Sequence, residues 1–179
     1  MFRLVTVLTV ICAVSSALLA AVYKLTQEPI AQALEARTKA AASNVMPAGL
    51  PLPEKMEIVQ GTATNTFYVA KQDGKIVAVA IEGRSKNGYS GEVVLMVGMS
   101  ADGKLINYEV LSSNETPGLG TKIAGNIFKG PLKGRFLKDN WIVKKDGGQV
   151  DAVTAATISS RAALDCIRDA IAKRQMLQL

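Results

Sequence analysis

Residues 66–83 read Thr66-Phe67-Tyr68-Val69-Ala70-Lys71-Gln72-Asp73-Gly74-Lys75-Ile76-Val77-Ala78-Val79-Ala80-Ile81-Glu82-Gly83. Two β-prone runs, TFYVAK and KIVAVAIEG, flank Gln72-Asp73-Gly74. An Asp-Gly pair between such runs signals a hairpin, because both residues tolerate the positive φ that a tight turn matching the strand twist requires. The pattern recurs at EVVLMVGMS and KLINYEVLS, which flank Ala101-Asp102-Gly103. Two successive antiparallel hairpins are therefore expected.

Helical signals lie on both sides of this strand-rich centre. Residues 4–23 run LVTVLTVICAVSSALLAAVY without a charge, a length that matches the roughly 20 residues a helix needs to cross a bilayer. The run exceeds the apolar core of a secretion signal, and Lys24, Glu28 and an alanine-rich stretch follow without a peptidase-type break, which favours an uncleaved anchor. Arg3 precedes the span while Lys24, Arg37 and Lys39 follow it, so charge gives only a lean toward an internal N-terminus. Residues 24–44 continue as helix, with Pro29 early, and Pro47, Pro51 and Pro53 mark a stiff linker. After the hairpins, the sequence predicts a short helix near 123–128, a strand at 141–144 and a closing helix over 159–177 in which Ala163, Ile167, Ala170, Ile171 and Leu177 share a face. Strands grouped together with helices before and after them give an α+β class with antiparallel sheet. The expected division is an anchor at 1–24, a helical stalk and proline-rich linker at 25–53, and a domain at 54–179.

Composition narrows the chemistry. The chain of 179 residues is 49% hydrophobic, enough for one core. The formal charge of +6 comes with few aromatics and with no zinc-finger or RNA-binding signature, so nucleic acid is not an expected partner. Histidine is absent, which excludes a Ser-His-Asp hydrolase and removes the commonest metal ligand. No dinucleotide fingerprint or P-loop is present. Cys12 lies within the apolar run, so a structural disulfide with Cys166 is not expected; Cys166 and Trp141 read as core residues.

Three segments could carry chemistry. In Asp151-Ala152-Val153-Thr154-Ala155-Ala156-Thr157-Ile158-Ser159-Ser160-Arg161, two threonines three apart sit on a small-residue loop that opens the last helix. A phosphate there would meet free N–H groups and the positive end of the helix, with Arg161 near. The plainer reading is that Thr157, Ser159 or Ser160 caps the helix. Asn114-Glu115-Thr116-Pro117-Gly118-Leu119-Gly120-Thr121-Lys122 reads as a tight turn, and Asn87-Gly88-Tyr89-Ser90-Gly91 as a loop before a strand. Lys122, Lys129, Lys133, Arg135, Lys138, Lys144 and Lys145 concentrate positive charge, read either as a solvated face or as a surface for an acidic partner or an anionic phosphate.

In this order behind one N-terminal span, G-Y-S-G, E-T-P-G-L-G and D-x-x-T-x-A-T-I-S-S-R-A resemble the FMN-binding domain of the RnfG/NqrC family. The resemblance covers nearly the whole chain, and its compact length is closer to the Rnf member. It implies FMN esterified through its phosphate to Thr157, the last position of an S/T-G-A-T motif whose first position is Thr154, with Ala155 and Ala156 between. It implies that Asp151 is read by a modifying flavin transferase. It implies that Glu115, Thr116, Gly118, Leu119 and Gly120 approach the flavin from one side and Tyr89, Ser90 and Gly91 from the other. The motif's usual glycine is Ala155 here, which matters if that position needs positive φ.

The resemblance further implies an electron carrier that turns over no soluble substrate by itself. Its setting would be a membrane-bound, ion-translocating ferredoxin:NAD oxidoreductase complex, with other subunits and membrane lipid as partners and the flavin domain on the extracytoplasmic face of the inner membrane. A membrane-tethered regulatory or assembly module outside a respiratory chain is the alternative.

Overall fold

The computed structural model describes residues 2–60 and 63–177, so Met1, Gly61, Thr62, Gln178 and Leu179 lie outside the described residues. The chain forms two compact units, residues 1–37 and residues 38–179.

The first unit belongs to helix α1 (Phe2–Asn44), which contains Pro29. It is long and apolar enough to cross a membrane, with an 18-residue window of mean hydropathy 2.4 and none of that window buried. Three of its hydroxyls are satisfied within the helix: Thr6, Thr9 and Thr26 donate to the carbonyls of Phe2, Val5 and Val22 at 3.0, 2.9 and 2.9 Å. Such back-bonding is what a polar side chain needs in a hydrocarbon setting. The helix fits a single-pass anchor.

The second unit is built on one antiparallel sheet in the order β1-β2-β3-β4-β5. Its strands are β1 (Glu54–Gln60), β2 (Ala63–Gln72), β3 (Lys75–Gly88), β4 (Gly91–Ser100) and β5 (Leu105–Ser113). Both expected hairpins are present, and the sheet is a five-stranded meander because β3 also pairs with β4 and β1 with β2. At the first turn Gln72 faces Lys75, and Asp73 and Gly74 have φ of 52° and 75°. That is the two-residue, doubly left-handed turn that Asp-Gly favours. Strand β1 was not anticipated: its apolar Met56 and Ile58 only partly cover the core, as befits an edge strand.

Alternation along the strands creates two buried faces. Phe67, Val69, Val79, Ile81, Val93, Leu95, Val97 and Met99 point to one face, where they meet helix α3 (Thr157–Arg174) through Ala163, Cys166, Ile167 and Ala170. Tyr68, Ala70, Ala78, Ala80 and Met96 point to the other, where Ala41, Ala42, Val45 and Met46 cover them. Small residues allow both approaches. A Cβ on Gly83 would lie 2.0 Å from the Cys166 carbonyl oxygen, and one on Gly98 would lie 2.1 Å from that of Val45. Residues 38–53 thus belong to the same compact unit as the sheet.

Between β5 and α3 the chain is mostly irregular. The expected short helix divides into a 3-10 turn at Gly120–Ala124 and helix α2 (Asn126–Lys129), because Gly125 between them is extended. The strand expected at 141–144 is replaced by a single parallel bridge between Val143 and Val150 followed by a 3-10 turn at Lys144–Asp146. Gly147 and Gly148 fold the chain back there, with Gly148 N–H donating to Val143 and Gln149 N–H to Ile142. Trp141 and Cys166 are buried as expected, the indole N–H donating to the Leu137 carbonyl at 3.1 Å.

Candidate functional site

The turn that follows β5 is stiffened by its own hydrogen bonds. Glu115 N–H donates to Ser113 Oγ, Leu119 N–H to the Thr116 carbonyl, and Gly118 N–H to Thr121 Oγ1. This geometry drives the Glu115 side chain inward, where it is buried. Its Oε1 accepts the Tyr89 N–H at 2.7 Å, and its Oε2 accepts the Ser159 hydroxyl at 2.7 Å. One carboxylate therefore ties together the β3–β4 turn, the turn after β5 and the first turn of α3. Gly120 lets them approach, since a Cβ there would lie 2.5 Å from Glu115 Oε2 and 2.6 Å from Ser159 Oγ.

The second wall is the loop that enters α3. Ala155 sits in the left-handed region at φ 60°, so the place of the motif's glycine does require positive φ, and alanine occupies it at a cost of about 1 kcal/mol. The helix then begins at Thr157, two residues earlier than expected, with Ala156 as its boundary residue and no side-chain cap. Capping by Thr157, Ser159 or Ser160 is thus not what the sequence encodes. Thr157 is already inside the first turn, Ser159 is committed to Glu115, and Ser160 Oγ accepts from Val153 N–H while donating to the Ala156 carbonyl. The N–H groups of the first helical turn lack intrahelical acceptors and carry the positive end of the helix dipole.

Between the walls lies a cavity of about 540 Å³, within the range of small-molecule sites. Of the expected residues, Tyr89, Glu115, Thr116, Leu119, Gly120, Ala155, Ala156 and Thr157 line it, together with Ile158 and Ser159. Ser90, Gly91, Gly118, Thr154 and Asp151 are not on its wall. Ser90 and Gly91 complete the β3–β4 turn, where Gly88 pairs with Gly91. Asp151 is exposed and holds Lys144 at 2.8 Å. Large apolar side chains remain open to solvent at the rim: Tyr89 is 69% exposed, Ile158 43% and Leu119 42%.

Charge at the site differs from expectation in one respect. Arg161 does not face the cavity; its Nε and Nη2 donate to the two carboxylate oxygens of Asp146 at 2.7 and 2.8 Å. That hydrogen bonding holds the Asp146 carboxyl below its ordinary range, with the nearby charges of Arg161 and Lys145 acting in the same direction. The cation beside Thr157 is Lys145, whose Nζ donates to Thr157 Oγ1 at 3.3 Å. In the sequence Lys145 is legible only as one member of a basic run, and its pairing depends on the fold-back at Gly147-Gly148.

The residues present suit a flat aromatic ring carrying a phosphate. Exposed Tyr89, Leu119 and Ile158 offer apolar contact, and an uncapped helix start with a lysine beside it offers an anion site.

Comparison with known proteins bears on this geometry. Residues 88–172 match the family model described as the FMN-binding domain. The chain is 37% identical over 179 residues to the G subunit of the ion-translocating oxidoreductase complex of Vibrio cholerae serotype O1, a match covering 92% of this chain and 86% of that protein. It is 34% identical over 176 residues to the corresponding G subunit from Escherichia coli K12, covering 91% and 85%. Among solved structures, the C subunit of the Na(+)-translocating NADH-quinone reductase of Parabacteroides distasonis superposes with a TM-score of 0.58 at 19% identity, over 77% of this chain and 88% of that one. At that identity the likeness concerns the fold.

Proposed function

Because the chain belongs to the family of G subunits of ion-translocating oxidoreductase complexes and carries an FMN-binding domain, we propose that it is an electron-transfer subunit holding FMN covalently, as a phosphoester of Thr157. The complex it serves is a membrane-bound, Rnf-type ferredoxin:NAD oxidoreductase. Its partners are the other subunits and membrane lipid, and a separate flavin transferase loads it. The division of labour is an anchor at 1–24, a stalk and linker at 25–53 whose Ala41, Ala42, Val45 and Met46 pack onto the sheet, and a flavin domain at 54–179, with that domain on the extracytoplasmic face of the inner membrane.

One observation carries this reading: Thr157 lines the cavity at a helix start that no side chain caps. A threonine there serves neither as a cap nor as core, and its oxygen lies where an anion is stabilised by N–H groups and the helix dipole. FMN, when bound, supplies transfer of one or two electrons. The chain's own residues do the rest. Glu115 fixes the two turns and the helix start relative to one another, while Leu119, Tyr89 and Ile158 border an open rim across which a partner's redox group can come near. Threonine is a weak nucleophile, which is why an external enzyme is needed to form the ester. Thr154 and Asp151 lie off the cavity wall and are assigned to recognition by that enzyme.

The test is retention of flavin after denaturation. Full-length protein purified from membranes and run on a denaturing gel should show flavin fluorescence in its own band, and Thr157→Val should abolish it. Fluorescence that leaves the chain on denaturation would rule out the covalent link.

A further inference from the structure

The 3-10 turn at Lys144–Asp146 presents three consecutive side chains to residues 151–161, and each takes a different partner. Lys144 Nζ lies 2.8 Å from Asp151 Oδ2, Asp146 receives both donors of Arg161, and Lys145 Nζ lies 3.3 Å from Thr157 Oγ1. The turn is fixed in place by Lys144 N–H donating to Val150 and by the bridge between Val143 and Val150. Two of the three contacts are ion pairs and compensate each other's charge. The third is not, because Lys145 meets a neutral hydroxyl and, among the described residues, forms no ion pair.

These six side chains hold three cations (Lys144, Lys145, Arg161) and two carboxylates (Asp146, Asp151), an excess of one positive charge. An ester between Thr157 and the FMN phosphate is a phosphodiester with one negative charge, placed on the oxygen that Lys145 already contacts. We propose that Lys145 is the positioning residue and counter-ion for the phosphate on Thr157, an inference that rests on Thr157 being the attachment site. A lysine ammonium has three N–H donors and no acceptor, so one donor on Oγ1 leaves two for phosphate oxygens. During loading, the Thr157 Oγ–P bond forms as the P–O bond within the pyrophosphate of FAD breaks. AMP leaves, no electrons move, and the hydroxyl proton passes to a base on the transferase, since an ammonium has no site to accept it.

Unloaded full-length protein in detergent is incubated with FAD and a flavin transferase, and the mass gain is timed by intact mass spectrometry. Lys145→Ala should load about tenfold more slowly, the worth of one charge-assisted hydrogen bond, and Lys145→Glu more slowly still. Lys145→Arg should load within about threefold of wild type, since the charge and donors are kept. Lys71→Ala on β2 is the control for a lysine elsewhere. Thermal midpoints should agree across the set, because Lys145 is exposed. The phosphorus resonance of loaded Lys145→Ala should shift from the wild-type position and return in Lys145→Arg. Wild-type loading rates in Lys145→Ala and Lys145→Glu overturn the proposal, and so does a slowing that arginine fails to rescue. No mass gain on the wild-type chain removes the attachment reading instead, and this proposal with it.

Discussion

The Ser159 hydroxyl donates to Glu115 Oε2 at 2.7 Å across a separation of 44 residues, and both groups are buried. The other oxygen of the same carboxylate accepts the Tyr89 N–H, so the cavity's walls share one acceptor group. Glu115→Ala leaves two donors without it, and an unsatisfied buried donor costs about 1–3 kcal/mol. Denaturation of the full chain in detergent should show a loss of about 2 kcal/mol or more, with Glu115→Gln intermediate because its amide keeps one acceptor oxygen. A loss below about 0.5 kcal/mol would mean the carboxylate is not a tie.

Ala155 is one of two non-glycine residues with positive φ among those described. Replacing it with glycine removes the left-handed strain but adds freedom to the unfolded chain, and the two effects nearly offset. Ala155→Gly should therefore raise stability by about 0.5 kcal/mol or leave it unchanged, whereas Ala155→Val should lower it by more than about 1 kcal/mol, because β-branched residues avoid this region. Thermal melting of the two variants side by side checks the sign of each.

The central strands were legible because alternation and Asp-Gly turns are local signals. Asp73 and Gly74 adopt the left-handed pair their types suggest. Strand β1 was not, since EKMEIVQ is polar at an edge and its pairing with β2 is decided by the sheet. Residues 41–46 offered no periodic apolar face, and Ala41, Ala42, Val45 and Met46 among them are buried because Ala70, Ala78, Ala80 and Gly98 leave room on the second face of the sheet. At the site, the cavity-lining residues from Glu115 to Gly120 and from Ala155 to Thr157 could be picked from motifs. Lys145 could not, because nothing local in a lysine run says which member meets Thr157. The same holds for Arg161, whose engagement with Asp146 depends on two glycines folding the chain back.

Gly83 on β3 faces the backbone of α3, and a Cβ there would lie 2.0 Å from the Cys166 carbonyl oxygen. Backbone cannot yield as a side-chain tip can. Gly83→Ala should cost about 1–3 kcal/mol or more as overpacking and lower the melting temperature accordingly. An unchanged melting temperature would show that helix and sheet lie further apart.

Alkaline pH should weaken the fold. Burial pushes the Cys166 thiol up from 9.0 to about 12, with Asp169 and Asp165 adding to the effect, and burial raises the Tyr108 hydroxyl above its ordinary 10.0. In the unfolded chain both groups ionise at their ordinary values, while in the folded chain they keep their protons, so folding binds more protons above about pH 9. Their contribution is full below pH 9 and is lost as pH rises toward 12. Denaturation midpoints at pH 8, 9 and 10 should fall in that order, and Cys166→Ala should flatten the decline. At pH 8 the thiol should resist alkylation until the chain is unfolded.

The most direct measurement is the intact mass of the full-length protein produced with and without a flavin transferase, in wild type and Thr157→Ala. Covalent attachment at Thr157 predicts a gain of one FMN less one water in the wild-type chain with the transferase alone, and none in Thr157→Ala. An unmodified wild-type mass in both preparations, or a gain that persists in Thr157→Ala, would contradict it.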